Sequence, residues 1–248
     1  MFLEHSTKNN ISTILISNKN TKNSLTQDFF IMLLGVLDQI SKNKEIKALV
    51  LKGKGENFSS GVDLNDLIKF PSTIDAREFS SLMEKAINKL FSLSIPTISV
   101  VDGYALGIGA GLVLSTDISI FTENVKFGFP AVKLGSSMPA SSIKRLVSTI
   151  GMKASKKLLL TGELIDSNEA LRLDIASYVV KKEEVELCLA KVISQLLEAS
   201  PLALEITKNT INNYANTQTN LYSEDSFAFL YSSLDWHKRI WTFLNKEK

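Results

Sequence analysis

Between residues 101 and 111 the chain reads Val-Asp-Gly-Tyr-Ala-Leu-Gly-Ile-Gly-Ala-Gly, and no other stretch limits so tightly what this sequence can become. A β-branched run, Thr97-Ile98-Ser99-Val100-Val101, precedes it, and the apolar Leu112-Val113-Leu114 follows. The pattern is that of a strand turning into a buried helix through glycines at 103, 107, 109 and 111. Glycine permits positive φ and close backbone approach. The N–H groups at the start of such a helix have no intrahelical acceptor, so they make a place for developing negative charge that a substrate oxygen can occupy. The spacing is not the six-residue GxGxxG of dinucleotide sites. Glycines that merely let a helix pack tightly against a sheet account for the same run.

A second turn has the same design. Ile46-Lys47-Ala48-Leu49-Val50-Leu51 has a strand pattern, and Phe58-Ser59-Ser60-Gly61-Val62-Asp63-Leu64 supplies a small-residue turn and a helix start. Two such turns can face each other across a pocket. At this point the chain resembles the enoyl-CoA hydratase/isomerase (crotonase) family. Phe58 to Leu64 is similar to that family's F-[SA]-[SA]-G-x-D-L turn, and Gly103 to Leu112 to its G-[YFH]-x-x-G-x-G-x-x-L run. Three further pieces follow in the family's order, at 127–135, 161–171 and 200–204, so the resemblance covers the whole chain. It implies an α/β fold: a crotonase-like spiral of strand-strand-helix repeats over residues 1–198. A C-terminal all-helical region, 199–248, would serve as a lid that packs on a neighbouring subunit and helps form the acyl pocket. The resemblance further implies a homotrimer or homohexamer.

Composition excludes several alternatives. With 248 residues, 44% apolar and 22% charged, the chain can build a large core as one domain or one domain with an appendage. Its net charge is +2 with lysines scattered among acids, which offers no basic stripe for nucleic acid. The single cysteine, Cys188, lies on an apolar helical face and reads as core, and a disulfide within the chain is excluded. The apolar runs are too short to span a bilayer, and no basic segment leads into an apolar signal region. The expectation is a cytoplasmic protein with no membrane or nucleic-acid partner, no metal and no tightly bound cofactor.

Taken in order, residues 11–17 read as a strand and 18–23 as a polar turn. Ser24 or Thr26 caps a helix whose stripe is Phe29, Met32, Leu33, Val36, Leu37 and Ile40. That gives a right-handed strand-helix-strand crossover before the first glycine turn. The Pro71-containing stretch 65–75 reads as a loop and 76–91 as a helix. Short strands are expected at 117–121, at 125–127 and ending at Val179-Val180, with helices at 143–150, 154–160 and 183–197. Pro201 opens a helix over 202–214, and 221–244 is a final helical region. Its large apolar groups, Phe227, Phe229, Leu230, Leu234, Ile240, Trp241 and Leu244, exceed what a solvated tail exposes. Most of them are expected on the chain's own core and the surplus at a subunit interface.

The resemblance also implies chemistry. Two backbone N–H groups grip the oxygen of a coenzyme A thioester and stabilise an enolate. By motif these belong to Ser60 and Ile108, with Gly61 and Gly107 shaping the turns. The coenzyme contacts would run through Ser60, Gly61, Val62, Asp63 and Ile108. Lys22 and Lys52 are either phosphate neighbours or solvated lysines. Family hydratases use two glutamates as proton carriers, and motif to motif this chain has Gly111 and Ala131 in their places. Ser137, Asp66 and Tyr104 are the polar candidates left nearby, and the two histidines, His5 and His237, read as surface groups. Two functions follow: an acyl-CoA enzyme that mainly needs enolate stabilisation, such as a decarboxylase, or a catalytically silent acyl-CoA-binding or scaffold protein. A hydratase with displaced groups is a third.

Overall fold

The protein was analysed as a computed structural model, and the structure describes residues 3–69, 72–216 and 234–245. Strands β1 (Leu3–Lys8) and β2 (Ile11–Ile16) pair antiparallel through Asn9 and Asn10, both at positive φ (50° and 64°), as a tight hairpin requires. Four parallel strands extend the sheet: β3 (Ala48–Gly53), β4 (Thr97–Val101), β6 (Ile118–Thr122) and β9 (Tyr178–Val180). The order is β1-β2-β3-β4-β6-β9. The middle strands are buried on both faces; β3 begins with the apolar run Ala48–Leu51, while β4 and β6 bury Thr97, Ser99 and Ser119 among their apolar residues. Alternate residues divide between two cores: Leu49, Leu51 and Val101 face one layer, while Val50, Ile98 and Val100 face the other.

Helix α1 (Gln27–Lys42) starts where Thr26 Oγ1 accepts the Phe29 N–H at 3.3 Å, and buries Phe29, Phe30, Leu33, Leu37 and Ile40 in the first layer. Met32 and Val36 of the expected stripe sit at its half-buried edge. The stretch expected as a loop contains a short helix, α2 (Leu64–Leu67), because the Asp63 carboxylate accepts the Asn65 N–H at 2.9 Å. Helix α3 (Thr73–Phe91) begins earlier than expected because Ser72 caps it through the Asp75 N–H. Helix α7 (Val185–Glu198) supplies Val185, Leu189 and Val192 to the second layer, with Cys188 half-buried beside them, as its apolar face implied.

A second sheet of three short strands, β5 (Tyr104–Leu106), β7 (Lys126–Gly128) and β8 (Leu164–Asp166), stands beside the site. Helix α4 (Ile108–Val113) follows the glycine turn, and a 3₁₀ turn (Pro130–Leu134) follows β7. The two helices expected in 143–160 form α5 (Ala140–Thr161), interrupted by Gly151 at φ 73°, ψ 165°. Helix α6 (Ser167–Arg172) is capped by Asp166, and α8 (Pro201–Asn216) follows α7. Of the last helical region, Leu234–Leu244 forms α9; Phe227, Phe229 and Leu230 lie outside the described residues. Helix α9 packs against the chain's own Pro130–Leu134 turn, with Ile240 fully buried in the first core layer. Ile240 and Leu244, one turn apart on one face, make this contact favourable within the chain. Among the described residues no single helix is long and apolar enough to cross a membrane.

Candidate functional site

Both glycine turns leave the carboxyl ends of adjacent parallel strands, β3 and β4, and backbone hydrogen bonds lace them together. Phe58 N–H donates to Asp102 O, Ser59 N–H to Tyr104 O and Leu106 N–H to Ser59 O, at 2.8, 2.8 and 3.0 Å. The Asn57 side-chain oxygen accepts the Tyr104 N–H at 3.1 Å. Close approach demands glycine at 103, where a Cβ would lie 2.1 Å from Glu56 O, and at 61, where φ is +101° and a Cβ would be 3.0 Å from Leu106 O. Gly107 has open space around it but a φ of +53°, so it is the backbone turn itself that favours glycine there.

On its other side the first turn pairs with the segment before α1. Leu25 N–H donates to Gly61 O and Asp63 N–H to Leu25 O, a parallel bridge between Leu25 and Val62. Such a bridge uses the N–H and C=O of the residues flanking Val62 and turns Val62's own N–H away from Leu25. That N–H and the N–H of Ile108, first residue of α4, are bonded to no acceptor among the described residues, and both residues line one cavity. The Ser60 assignment requires correction. Its N–H donates to Lys22 O at 3.0 Å and its hydroxyl to Thr21 O at 2.9 Å, so neither is available to a ligand. The available donor of the first turn belongs to Val62, two residues on.

The cavity measures about 90 Å³. Its walls bring together Ser60, Gly61, Val62, Gly107, Ile108 and Ser137 with Ile240 of the C-terminal region and with apolar groups the sequence did not mark for the site: Leu67, Met83, Leu134 and Met138. Pro130 and Ala131 form the side opposite the first turn's helix. Among the described residues, no carboxylate, imidazole or phenol is in the lining.

Several candidates lie elsewhere or are occupied. Asp63 accepts from Ser24 Oγ at 2.7 Å while capping α2. Asp66 binds Lys69 at 2.8 Å and the Gln27 N–H, and Lys52 pairs with Glu186 at 3.3 Å. His5 is bonded to Ser12 Oγ on the outer hairpin, where burial lowers its pKa, and His237 is on α9 outside the cavity lining. Lys22 does stand by the first turn, its ammonium 5.0 Å from the centre of the Tyr104 ring.

Behind the cavity, α4 and α5 meet at Gly111. A Cβ there would be 2.8 Å from Ser142 Oγ, a fully buried hydroxyl with no hydrogen-bond partner. The start of α5 is held by Glu84, buried on α3, whose Oε1 accepts the Ser141 N–H at 3.3 Å. Position 111 therefore has no space for a side chain while Ser142 keeps its hydroxyl.

Comparison with known proteins places this arrangement. The sequence profile of the enoyl-CoA hydratase/isomerase family matches residues 6–248. A short-chain-enoyl-CoA hydratase of Clostridium acetobutylicum is 29% identical over 242 residues, covering 96% of this chain and 92% of that protein. Among solved structures, an enoyl-CoA hydratase from Bacillus halodurans superposes with a TM-score of 0.88 at 24% identity, covering 98% of this chain and 100% of that one. A methylmalonyl-CoA decarboxylase in complex with 2-nitronate-propionyl-CoA superposes with a TM-score of 0.87 at 23% identity, covering 99% of this chain and 96% of that one.

Proposed function

The chain belongs to the enoyl-CoA hydratase/isomerase family, and we propose that it binds a short-chain acyl-CoA thioester that carries a carboxylate on its α-carbon, as a malonyl group does, and releases that carboxylate as carbon dioxide. The observation that carries this reading is the pairing of two N–H groups, of Val62 and Ile108, unbonded among the described residues, with a cavity whose described lining has no acid or base side chain. Hydration, the reaction in the names of the Clostridium and Bacillus proteins, is the competing reading. It requires one group to position water and another to protonate the α-carbon, and Gly111 and Ala131 carry neither.

Decarboxylation needs no base. The bond between the α-carbon and the carboxylate breaks, its electron pair passes into the thioester as an enolate, and neutral carbon dioxide leaves. The enolate oxygen receives the Val62 and Ile108 N–H groups, which bind most strongly as charge develops there. Ala131, Leu134 and Met138 surround the departing carboxylate with apolar surface. Charge is costly beside such surface and less so once it has moved to the two donors. A proton from water then completes the α-carbon, with the Ser137 hydroxyl on the cavity wall to orient it. The cavity is smaller than the ~150 Å³ apolar cavity that accepts benzene, which supports an acyl group of few carbons.

The test is parallel assay of malonyl-CoA decarboxylation and crotonyl-CoA hydration. Carbon dioxide release well above the uncatalysed rate, with hydration near background, is the expected result. Hydration at about 10 per second, an ordinary enzymatic turnover, would overturn the reading. Tight acyl-CoA binding with neither reaction would leave the silent binding protein, which the same lack of proton carriers favours. The exposed apolar side chains of α8 (Leu202, Ile206, Ile211) and α9 (Leu234, Trp241, Phe243) support assembly as a homotrimer or homohexamer.

A further inference from the structure

A second cavity, of about 410 Å³, opens at the opposite ends of strands β4 and β6, between α5 and α8. That volume falls in the range of small-molecule sites. Three cations stand in its wall: Lys208 is buried, and Lys144 and Arg145 are half-buried. The Lys208 ammonium, on a residue only 8% exposed, donates to Asp117 Oδ2 at 2.7 Å and to Ile95 O at 2.9 Å. Asp117 Oδ2 also receives the backbone N–H and the hydroxyl of Thr97, at 2.7 and 2.8 Å, so that oxygen of the one carboxylate in the wall carries three hydrogen bonds.

Arg145 has no such counter-charge. Its guanidinium lies 4.3 Å from the centre of the Phe91 ring and donates through Nη2 to Asn88 Oδ1 at 2.7 Å. Nε and Nη1 are buried with no hydrogen-bond partner, and Arg145 forms no ion pair among the described residues. Glu84 acts on it only at longer range, and burial lowers its pKa to about 10 in spite of that carboxylate. A guanidinium held from water with two unpaired donors is an expensive arrangement, and an oxyanion placed against its fork satisfies both. Pro96, Leu114, Leu204 and Ile211 give the wall an apolar part, beside polar residues such as Thr116, Lys144 and Thr207.

We propose that this cavity is a binding site for a small organic anion, with its oxyanion head at Arg145 and Lys208 and its apolar body against Phe91 and Ile211. Presenting Nε and Nη1 to the head group requires a rotation of the long Arg145 side chain that gives up its stacking on Phe91 and its Asn88 hydrogen bond. The site is separate from the thioester cavity, although α5 joins them: Pro139 lines the first and Arg145 and Ser148 the second.

Calorimetric titration of the full chain tests this with hexanoate, with inorganic phosphate, and with hexanol as the uncharged body. Expected is one equivalent of saturable hexanoate binding, weakened about tenfold or more by Arg145→Gln as a charge-assisted pair is lost, and unaffected by saturating acetyl-CoA. Saturable phosphate binding with the same loss in Arg145→Gln also supports an oxyanion site and makes phosphate esters the ligand class. Equal binding of hexanol, binding unchanged in Arg145→Gln, displacement by acetyl-CoA, or no heat at about 10 mM of either anion overturns it. Should Arg145→Gln fail to fold, Ser148→Trp decides the matter. It fills the cavity from an exposed position of α5, and binding that survives it refutes the site.

Discussion

Replacing Gly111 by alanine puts a methyl group 2.8 Å from Ser142 Oγ, with the Ser142 Cβ and the Ile108 Cδ1 next at 3.6 Å. The only severe contact is therefore with one hydroxyl. Overpacking of a filled interior costs about 1–3 kcal/mol, and the gain in helix propensity from glycine to alanine returns about 1 kcal/mol. Gly111→Ala alone should then be neutral to about 2 kcal/mol destabilising. Ser142→Ala removes a buried hydroxyl that has no partner, which should be neutral to about 1 kcal/mol stabilising. In the double variant the nearest contact becomes an ordinary 3.6 Å, so Gly111→Ala in that background should stabilise by about 1 kcal/mol. The cycle predicts a favourable coupling of about 1–3 kcal/mol, read from urea denaturation midpoints or from melting shifts of about 2–4 °C per kcal/mol. Additivity within about 0.5 kcal/mol would refute the argument that Ser142 closes position 111. The consequence for activity is direct. Gly111→Glu with Ala131→Glu should raise crotonyl-CoA hydration only when Ser142 is also alanine. Each positioned carrier is worth about 10²–10⁴-fold, and the single glutamates should do little because the two act as a unit.

Further outcomes follow from other contacts. Ile108→Pro removes one donor at a first helical position, where proline is tolerated, and should lower kcat for carbon dioxide release about 10²–10³-fold with the thermal midpoint nearly unchanged. Gly103→Ala combines a left-handed backbone, about 1–2 kcal/mol, with a methyl group 2.1 Å from Glu56 O. With about 1–3 kcal/mol for that overlap, the loss should be about 2–5 kcal/mol in denaturant titration. Burial raises the Asp102 carboxyl, but the Lys182 ammonium at 2.8 Å, the Thr122 hydroxyl and Asn124 outweigh it and hold its pKa below the ordinary value. A depressed folded pKa stabilises above the unfolded value, near ~4, and the contribution disappears as pH falls through the folded one. The difference in urea midpoint between the natural chain and Asp102→Asn should therefore be constant above about pH 5 and shrink below about pH 4. Light scattering at micromolar concentration should report a trimer or hexamer, and a monomer would contradict the proposed assembly.

The features legible in the sequence were those carried by local chemistry. A stripe such as Phe29-Leu33-Leu37-Ile40 has one helical solution against a sheet, and the apolar and β-branched runs of β3 and β4 mark strands. The glycine requirement at 61, 103 and 107 belongs to single residues, through φ and close approach, so the two turns and their family likeness could be read directly. The three-residue strands β5, β7 and β8 are too short to carry a period, and the second sheet did not appear until the chain folded. Capping by Asp63 and Ser72 moved the helix starts because a side chain's choice of partner depends on the turn around it.

The sequence by itself determined that two glycine turns on neighbouring parallel strands would build a site of the enoyl-CoA hydratase/isomerase kind, with glycine and alanine at positions 111 and 131. Only the tertiary structure decided which N–H groups that site offers. Ser60 is engaged by Thr21 and Lys22, and Leu25 by the residues either side of Val62, all from a segment distant in the chain. The same holds for the fold-back of Ile240 into the cavity, for the meeting of Gly111 with Ser142 and for the unpaired guanidinium of Arg145. Each is set by which distant atom takes a hydrogen bond or a volume first, and neither periodicity nor composition records that competition.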